Sequence, residues 1–237
     1  TNDGITAAGD SGLSIDGTSL TITAAGTYLL SGSCEDGSVK VQKGTTGVVL
    51  VLDGLTLSSQ TTAPIICAKS TEVTIEAAAG TVNTLSDTEA NNDGSDDSNT
   101  EANNDGSNDS NTENNNAEGS DSETVTTNDA STNSAAENAV IKCKDGSQVV
   151  FCGTGELILR ANCKNGIKSG ASTETECDAS LTIRELTLTI DAPVNDAVNA
   201  ESILNVESGT LEISAGDDAL HSDGELNIGA DGTDGPS

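Results

Sequence analysis

Outside one polar stretch, apolar and polar residues alternate in short runs along the chain, and the runs recur at a fixed step. Leu181–Val198 reads LTIRELTLTIDAPVNDAV and Leu204–Leu220 reads LNVESGTLEISAGDDAL. Leu181 aligns with Leu204, Ile183 with Val206, Leu188 with Leu211 and Ile190 with Ile213, each 23 residues on. Asp196 aligns with Asp218 and Val198 with Leu220 at a step of 22, and Leu226 and Ile228 restart the pattern 22 after Leu204 and Val206. Leu157, Leu159, Asn165–Gly170, Gly47–Ser58, Ala63–Ala77 and Ala139–Cys152 fit the same frame. Period-two alternation rich in Ile, Val, Leu and Thr predicts strands, and the Gly, Asp and Asn between them predict turns. Helical stripes with caps are not evident. A 22–23-residue unit of two or three short strands cannot bury its apolar face alone, so copies must stack. The leucine-rich repeat shares this length but needs an LxxLxLxxN pattern and a helix. The pattern therefore predicts an all-β chain folded as a right-handed, single-stranded parallel β-helix of roughly eight rungs, one domain over residues 1–237.

The polar stretch, 86–137, interrupts this frame. It carries no Lys or Arg, and Val125 is its only apolar residue larger than Ala before Val140. It is itself repetitive: Glu89–Thr100 (EANNDGSDDSNT), Glu101–Thr112 (EANNDGSNDSNT) and Glu113–Thr124 (ENNNAEGSDSET) follow one another at a period of 12. An Asp/Asn/Gly-rich 12-mer invites a calcium-loop reading, but EF-hand helices and a loop-closing Glu in place are missing. Calcium β-rolls need one large apolar residue per turn, which is also missing. Such a composition cannot bury enough apolar surface to offset its ordering entropy. The segment is expected to be a disordered acidic insert, and deletion of Thr88–Ser134 is expected to leave the fold and sugar binding intact.

Composition then narrows the partners. The chain of 237 residues has 39 Asp+Glu against 9 Lys+Arg and one His, a formal net charge of −30. Nine scattered cations cannot neutralise a run of phosphates against that field, which excludes nucleic acid as a partner. No apolar run reaches the ~20 residues of a membrane span. There is no start Met and no charged region ahead of an apolar one, so the chain is expected to be a mature form. Trp and Met are absent, and Tyr28 and Phe151 are the only aromatic residues. A narrow core of small and aliphatic side chains accommodates that lack.

Stacking turns equivalent positions into columns. Ile65, Ile141, Ile167, Val198 and Leu220 form an inward column, and two residues on the same face carries Cys67, Cys143, Ser169, Ala200 and Ser222. Between them an outward column holds Ile66, Lys142, Lys168, Asn199 and His221. Just ahead lies a turn column with Lys164-Asn165, Asn195-Asp196 and Asp217-Asp218. Carboxylates that stack at ~4.8 Å repel unless a cation or proton intervenes.

The segments NGIKSG, NDAVNAE and GDDALHSDGELNI resemble the turn motifs of a family of secreted bacterial, calcium-binding carbohydrate-binding domains whose right-handed parallel β-helix is related to that of polysaccharide lyases. ITAAGTYLLSG (Ile22–Gly32), VVLVLDGLTLSS (Val48–Ser59) and GTVNTLSD (Gly80–Asp87) are similar to that family's N-terminal half. The 12-residue repeats and the six cysteines depart from it. The resemblance implies a secreted or cell-surface protein that binds plant cell-wall polysaccharide, acidic pectin (polygalacturonate) or cellulose, without catalysis. With Tyr28 alone available for stacking on sugar rings, a calcium-assisted mode fits the residues better. Asn165, Asn195, Asp196, Asp217 and Asp218 are the candidate calcium ligands, since hard cations take carboxylate and carbonyl oxygens. Lys142, Lys168, Asn199 and His221 are the candidate polysaccharide contacts.

Two other classes remain. A calcium-dependent pectate-lyase-like enzyme needs a cation to stabilise the carbanion charge and a base, for which Lys142 and Lys168 are candidates with His221 further along. Arg184 is expected in a strand rather than a cleft. A structural surface protein or adhesin would use the open ends of the stack for self-association. Ice binding would need a continued Thr ladder, which Asn205 and Glu212 break. Cys34, Cys67, Cys143, Cys152, Cys163 and Cys177 contain no CxxC pair, which argues against structural zinc. Stacking makes Cys67 and Cys143 neighbours at a disulfide-compatible separation, and Cys163 and Cys177 bracket the STETE segment. Free thiols are the alternative.

Overall fold

A computed structural model of the chain describes residues 5–9, 11–94, 133–172 and 178–229. Within them the protein is all-β, with no helix, and the chain climbs in stacked coils. β1 (Leu13–Asp16) pairs antiparallel with β2 (Ser19–Ile22); every other strand pairing is parallel. The first coils run β2 to β3 (Gly26–Cys34), then β4 (Ser38–Val41) to β5 (Val48–Ser58). From there each coil has three strands: β6 (Ile65–Cys67), β7 (Glu72–Ala77) and β8 (Val82–Ser86), then β9 (Ala139–Cys143), β10 (Gln148–Gly153) and β11 (Glu156–Arg160). β12 (Asn165–Lys168), β13 (Ser180–Ile183) and β14 (Leu186–Ala192) follow. The last are β15 (Val198–Ala200), β16 (Ile203–Val206) and β17 (Gly209–Ala215), with β18 (Leu220–Ser222) and β19 (Glu225–Ile228) beginning another.

One sheet orders β1-β2-β4-β6-β9-β12-β15-β18. The other has 11 strands and is folded at β5. The first half of that long strand pairs with β7 and its second half with β8, so two rows of strands diverge from it. Parallel coils stacked in this way need inward side chains that fit a narrow lumen. Leu20, Val39, Ile65, Ile141, Ile167 and Val198 supply them in one register column, buried to 5% exposure or less. The sequence-derived alignments of Leu181 with Leu204 and of Ile190 with Ile213 are register partners in the structure. The 22–23-residue step, however, holds only for the last coils and for β3 against β5. The column steps by 26 from Val39 to Ile65 and from Ile141 to Ile167, and by 31 from Ile167 to Val198, because turns between strands absorb the extra residues.

Phe151 fills the lumen between Ile75 and Ile183, fully buried. Beside it Gly153 has φ +105°, and a Cβ there would overlap the Ala77 carbonyl oxygen of the coil below. Only glycine allows the backbones to approach that closely. Arg184, expected in a strand, lies instead in the turn between β13 and β14, exposed.

The 12-residue repeats lie outside the described residues beyond Gly94. The two ends of the 86–137 stretch are described, and they are packed. Asn91 is fully buried; its amide donates to Asp87 Oδ2 and the Ala139 carbonyl at 2.9 Å each, while its Oδ1 accepts the Glu137 N–H at 2.7 Å. Asp87, 2% exposed, also accepts the N–H groups of Asn162 and Cys163. Asn133 donates to the carbonyls of Thr61 and Ala90. These groups close the gap between the coil of β6–β8 and the coil of β9–β11.

Candidate functional site

On the face of the first sheet opposite the lumen one register column of side chains runs along the stack, and Ile66, expected outward, is buried within it. In register, Thr21 meets Lys40, Lys40 meets Ile66, Ile66 meets Lys142, Lys142 meets Lys168, Lys168 meets Asn199, and Asn199 meets His221. The column expected from Ile66 to His221 is thus assembled, and it extends further than expected. Lys40 was missed because this column steps by 19 residues from Thr21 to Lys40 and by 26 from Lys40 to Ile66. A signal was present nonetheless: Val39-Lys40-Val41, Ile141-Lys142-Cys143 and Ile167-Lys168-Ser169 share an inward–Lys–inward alternation. At about 4.8 Å per strand, Lys40 to His221 spans roughly 24 Å.

Three of the nine Lys+Arg residues and the lone His therefore sit in one row on a chain of net charge −30. Like charges directly opposite one another in a sheet destabilise it. Lys142 and Lys168 are such a pair. Lys142 is half-buried, and burial first, then the Lys168 ammonium, pull its pKa below the ordinary lysine value against the opposing pull of Glu201 and Glu137. His221, at the far end, places Nε2 3.0 Å from Asp223 Oδ1 and Nδ1 3.3 Å from Asp218 Oδ2. Asp223, then Asp218, raise its pKa above the ordinary histidine value.

The turn column borders this row. Ala197 donates its N–H to the Asp218 carbonyl and Gly166 to the Asp196 carbonyl, which stacks the three turns. Asn165 is fully buried; its amide donates to the Asn138 carbonyl, and its Oδ1 accepts from Asn195 Nδ2 at 2.9 Å. Asp196 is 5% exposed. Its Oδ1 accepts the Asp218 N–H at 3.0 Å and its Oδ2 accepts from Asn199 Nδ2 at 2.5 Å. Asp217 and Asp218 are exposed. Among the described residues no three His, Cys, Asp or Glu side chains come together in a way that could hold a metal ion. The five expected calcium ligands therefore fit a cation only in part. Asn165, Asn195 and Asp196 are joined to one another's turns by hydrogen bonds, and Asp217 and Asp218 present carboxylates to solvent. A hard cation here would need further oxygens from a ligand.

The model of carbohydrate-binding domain-containing proteins matches residues 16–108 and 107–232. A carbohydrate-binding domain-containing protein of Acetivibrio thermocellus is 38% identical over 89 residues, 37% of this chain and 31% of that relative. The match spans about a third of the relative's length. The polysaccharide lyase-like protein from C. thermocellum, solved as a gadolinium derivative, shares the fold with a TM-score of 0.53 at 24% identity, over 98% of this chain and 95% of its own.

Proposed function

The chain belongs to the family of carbohydrate-binding domain-containing proteins, and from that premise we propose that it binds an acidic cell-wall polysaccharide of the polygalacturonate type, without catalysis, along the Lys40–His221 row. One observation carries this reading. On a strongly acidic chain, cations are set in register on a single sheet face, two of them stacked as direct neighbours. Stacked ammonium groups are an unfavourable arrangement for the protein alone, and a favourable one opposite a row of uronate carboxylates. Asn199, between Lys168 and His221, donates its amide to Asp196 and would offer its Oδ1 to sugar hydroxyls. Tyr28, the other sugar-stacking candidate, has its hydroxyl tied to the Gly12 and Ala24 carbonyls at the opposite end of the stack. Cellulose, which has no carboxylates, is the weaker partner on this reading.

The proposal includes a right-handed coil, the hand that parallel crossovers take almost without exception, and a secreted or cell-surface location, where such a polymer is met. It also includes calcium. Asp217 and Asp218 would hold the ion together with uronate oxygens, and the bound ion would supply the positive charge that joins an acidic protein to an acidic polymer. Asp196 would keep the Asp218 turn in place through its hydrogen bond to the Asp218 N–H.

A second reading, calcium-dependent lyase chemistry, is favoured by Lys142, since a half-buried lysine whose pKa is lowered is suited to take a proton. The two readings part in one experiment. Retention on immobilised polygalacturonate is measured for the parent, for Lys142→Ala/Lys168→Ala and for Asp217→Ala/Asp218→Ala, with calcium and with chelator, while the release of unsaturated oligosaccharides is followed. Binding without unsaturated products is expected, about tenfold weaker in the lysine variant and calcium-independent in the aspartate variant. Unsaturated products that vanish with Lys142→Ala would install the lyase instead. Equal retention of parent and lysine variant would remove the row as the site.

A further inference from the structure

The coils on either side of the polar insert present two cysteines to each other. Cys67, in β6, is the direct register partner of Cys143, in β9. Both point into the lumen and both are fully buried. In-register parallel neighbours lie about 4.8 Å apart along the sheet, inside the Cα separation that a disulfide requires. On the same inward column Val41 precedes the pair and Ser169 follows it, with Ala200 and Ser222 at the next levels. Cysteine is thus not demanded by the column. It occurs at two consecutive levels, and these are the two levels between which the chain leaves the stack for the insert.

We propose that Cys67 and Cys143 form a disulfide that staples the coil ahead of the insert to the coil behind it. The bond closes a loop between two residues 76 apart in sequence that the stack makes register neighbours. It forms by exchange with a small-molecule disulfide, RS–SR. The Cys67 thiol gives up its proton and attacks one sulfur, which releases RS⁻. The Cys143 thiolate then attacks the Cys67 sulfur of the mixed disulfide and releases the second RS⁻. The two protons pass to the two thiolates, so two protein thiols are oxidised and one RS–SR is reduced to two RSH. In the reduced state the Cys67 thiol donates to Cys143, and this contact, with burial, pushes its pKa well above the ordinary thiol value. Exchange needs the thiolate. A folded, reduced pair is therefore slow to oxidise, and the bond closes while the coils are still assembling.

The test is to refold the full chain from denaturant in a glutathione redox buffer and, separately, to expose the already folded, reduced chain to the same buffer. Free thiols are then alkylated under denaturing conditions and the linked peptides are identified by mass spectrometry. The expected result is a Cys67–Cys143 linked peptide after oxidative refolding, formed far more slowly in the folded chain. Its melting temperature should stand on the order of 10 °C above that of the reduced protein, because a long loop is closed in the unfolded state. Cys67→Ala/Cys143→Ala should match the reduced parent and show no change with redox buffer, since alanine already occupies this column at Ala200. Recovery of both residues as alkylated thiols after oxidative refolding, or linkage of either mainly to another cysteine, would overturn the proposal. So would a linked protein that melts with the reduced one.

Discussion

At the scale of single residues, the least expected group is a buried carboxyl. Asp87 was read as the edge of a solvated stretch, yet it accepts from Asn91, Asn162 and Cys163 inside the fold. Burial raises its pKa above the ordinary aspartate value, although those hydrogen bonds pull it down. A carboxyl with a raised native pKa binds its proton more tightly in the folded state. Its contribution therefore makes stability fall as pH rises from about 4, the unfolded value, through the raised native value, and stay level above it. Asp87→Asn removes that titration and sets an amide NH₂ against the Asn91 amide, at a cost of about 1–3 kcal/mol. The variant is expected to melt lower at neutral pH and to show a shallower fall of melting temperature with pH from pH 4 upward. Parallel parent and variant curves would mean that Asp87 does not titrate in this range. Nothing local could have announced this role: the sequence SDTEANND carries the same residue types as the repeats that follow it.

At the scale of elements, strand and partner are set by how closely coils approach. Gly153 ends β10 with a left-handed φ of +105° directly over Ala77. Gly209 repeats the device at the start of β17, with φ +113° over Leu186. Gly153→Ala adds a Cβ to an occupied space and strains the backbone, so a loss on the order of 3 kcal/mol is expected. For a domain of this size that is a fall of roughly 6–12 °C in melting temperature. Gly54→Ala is the control. Its φ of +68° is also left-handed, but nothing lies within 4 Å of the added Cβ, so only the strain remains. Equal losses in the two variants would show that backbone strain, not the approach of coils, governs the Gly153 position. The alternation that predicted β13 to β17 also predicted their register, because one residue of slip would turn every inward Leu and Ile to solvent.

At the scale of the whole molecule, the described ends of the insert separate two kinds of polar residue. Deletion of Thr88–Ser134 removes Asn91 and Asn133 and leaves the Asp87 carboxylate buried with one donor fewer. It is expected to lower the melting temperature by about 5–10 °C. Deletion of 95–132 alone keeps those side chains, removes no apolar residue larger than Val125, and is expected to leave melting and polygalacturonate retention within about 2 °C and twofold of the parent. Similar losses in both deletions would mean that the 12-residue repeats themselves support the fold. The sequence by itself determined the strands, the stacking of coils, the inward aliphatic column and the register column from Ile66 to His221. All of these follow from period-two alternation and recurring turn motifs, which are local properties of the chain. Tertiary structure alone decided what depends on unequal coil lengths. It brought Lys40 into the row across a 26-residue step. It also occupied both Asp196 oxygens with N–H donors, from the Asp218 backbone of the next coil and the Asn199 side chain. Turns and inserts change length without disturbing alternation, so the pattern along the chain names the faces, and only the stacked backbone says which faces meet.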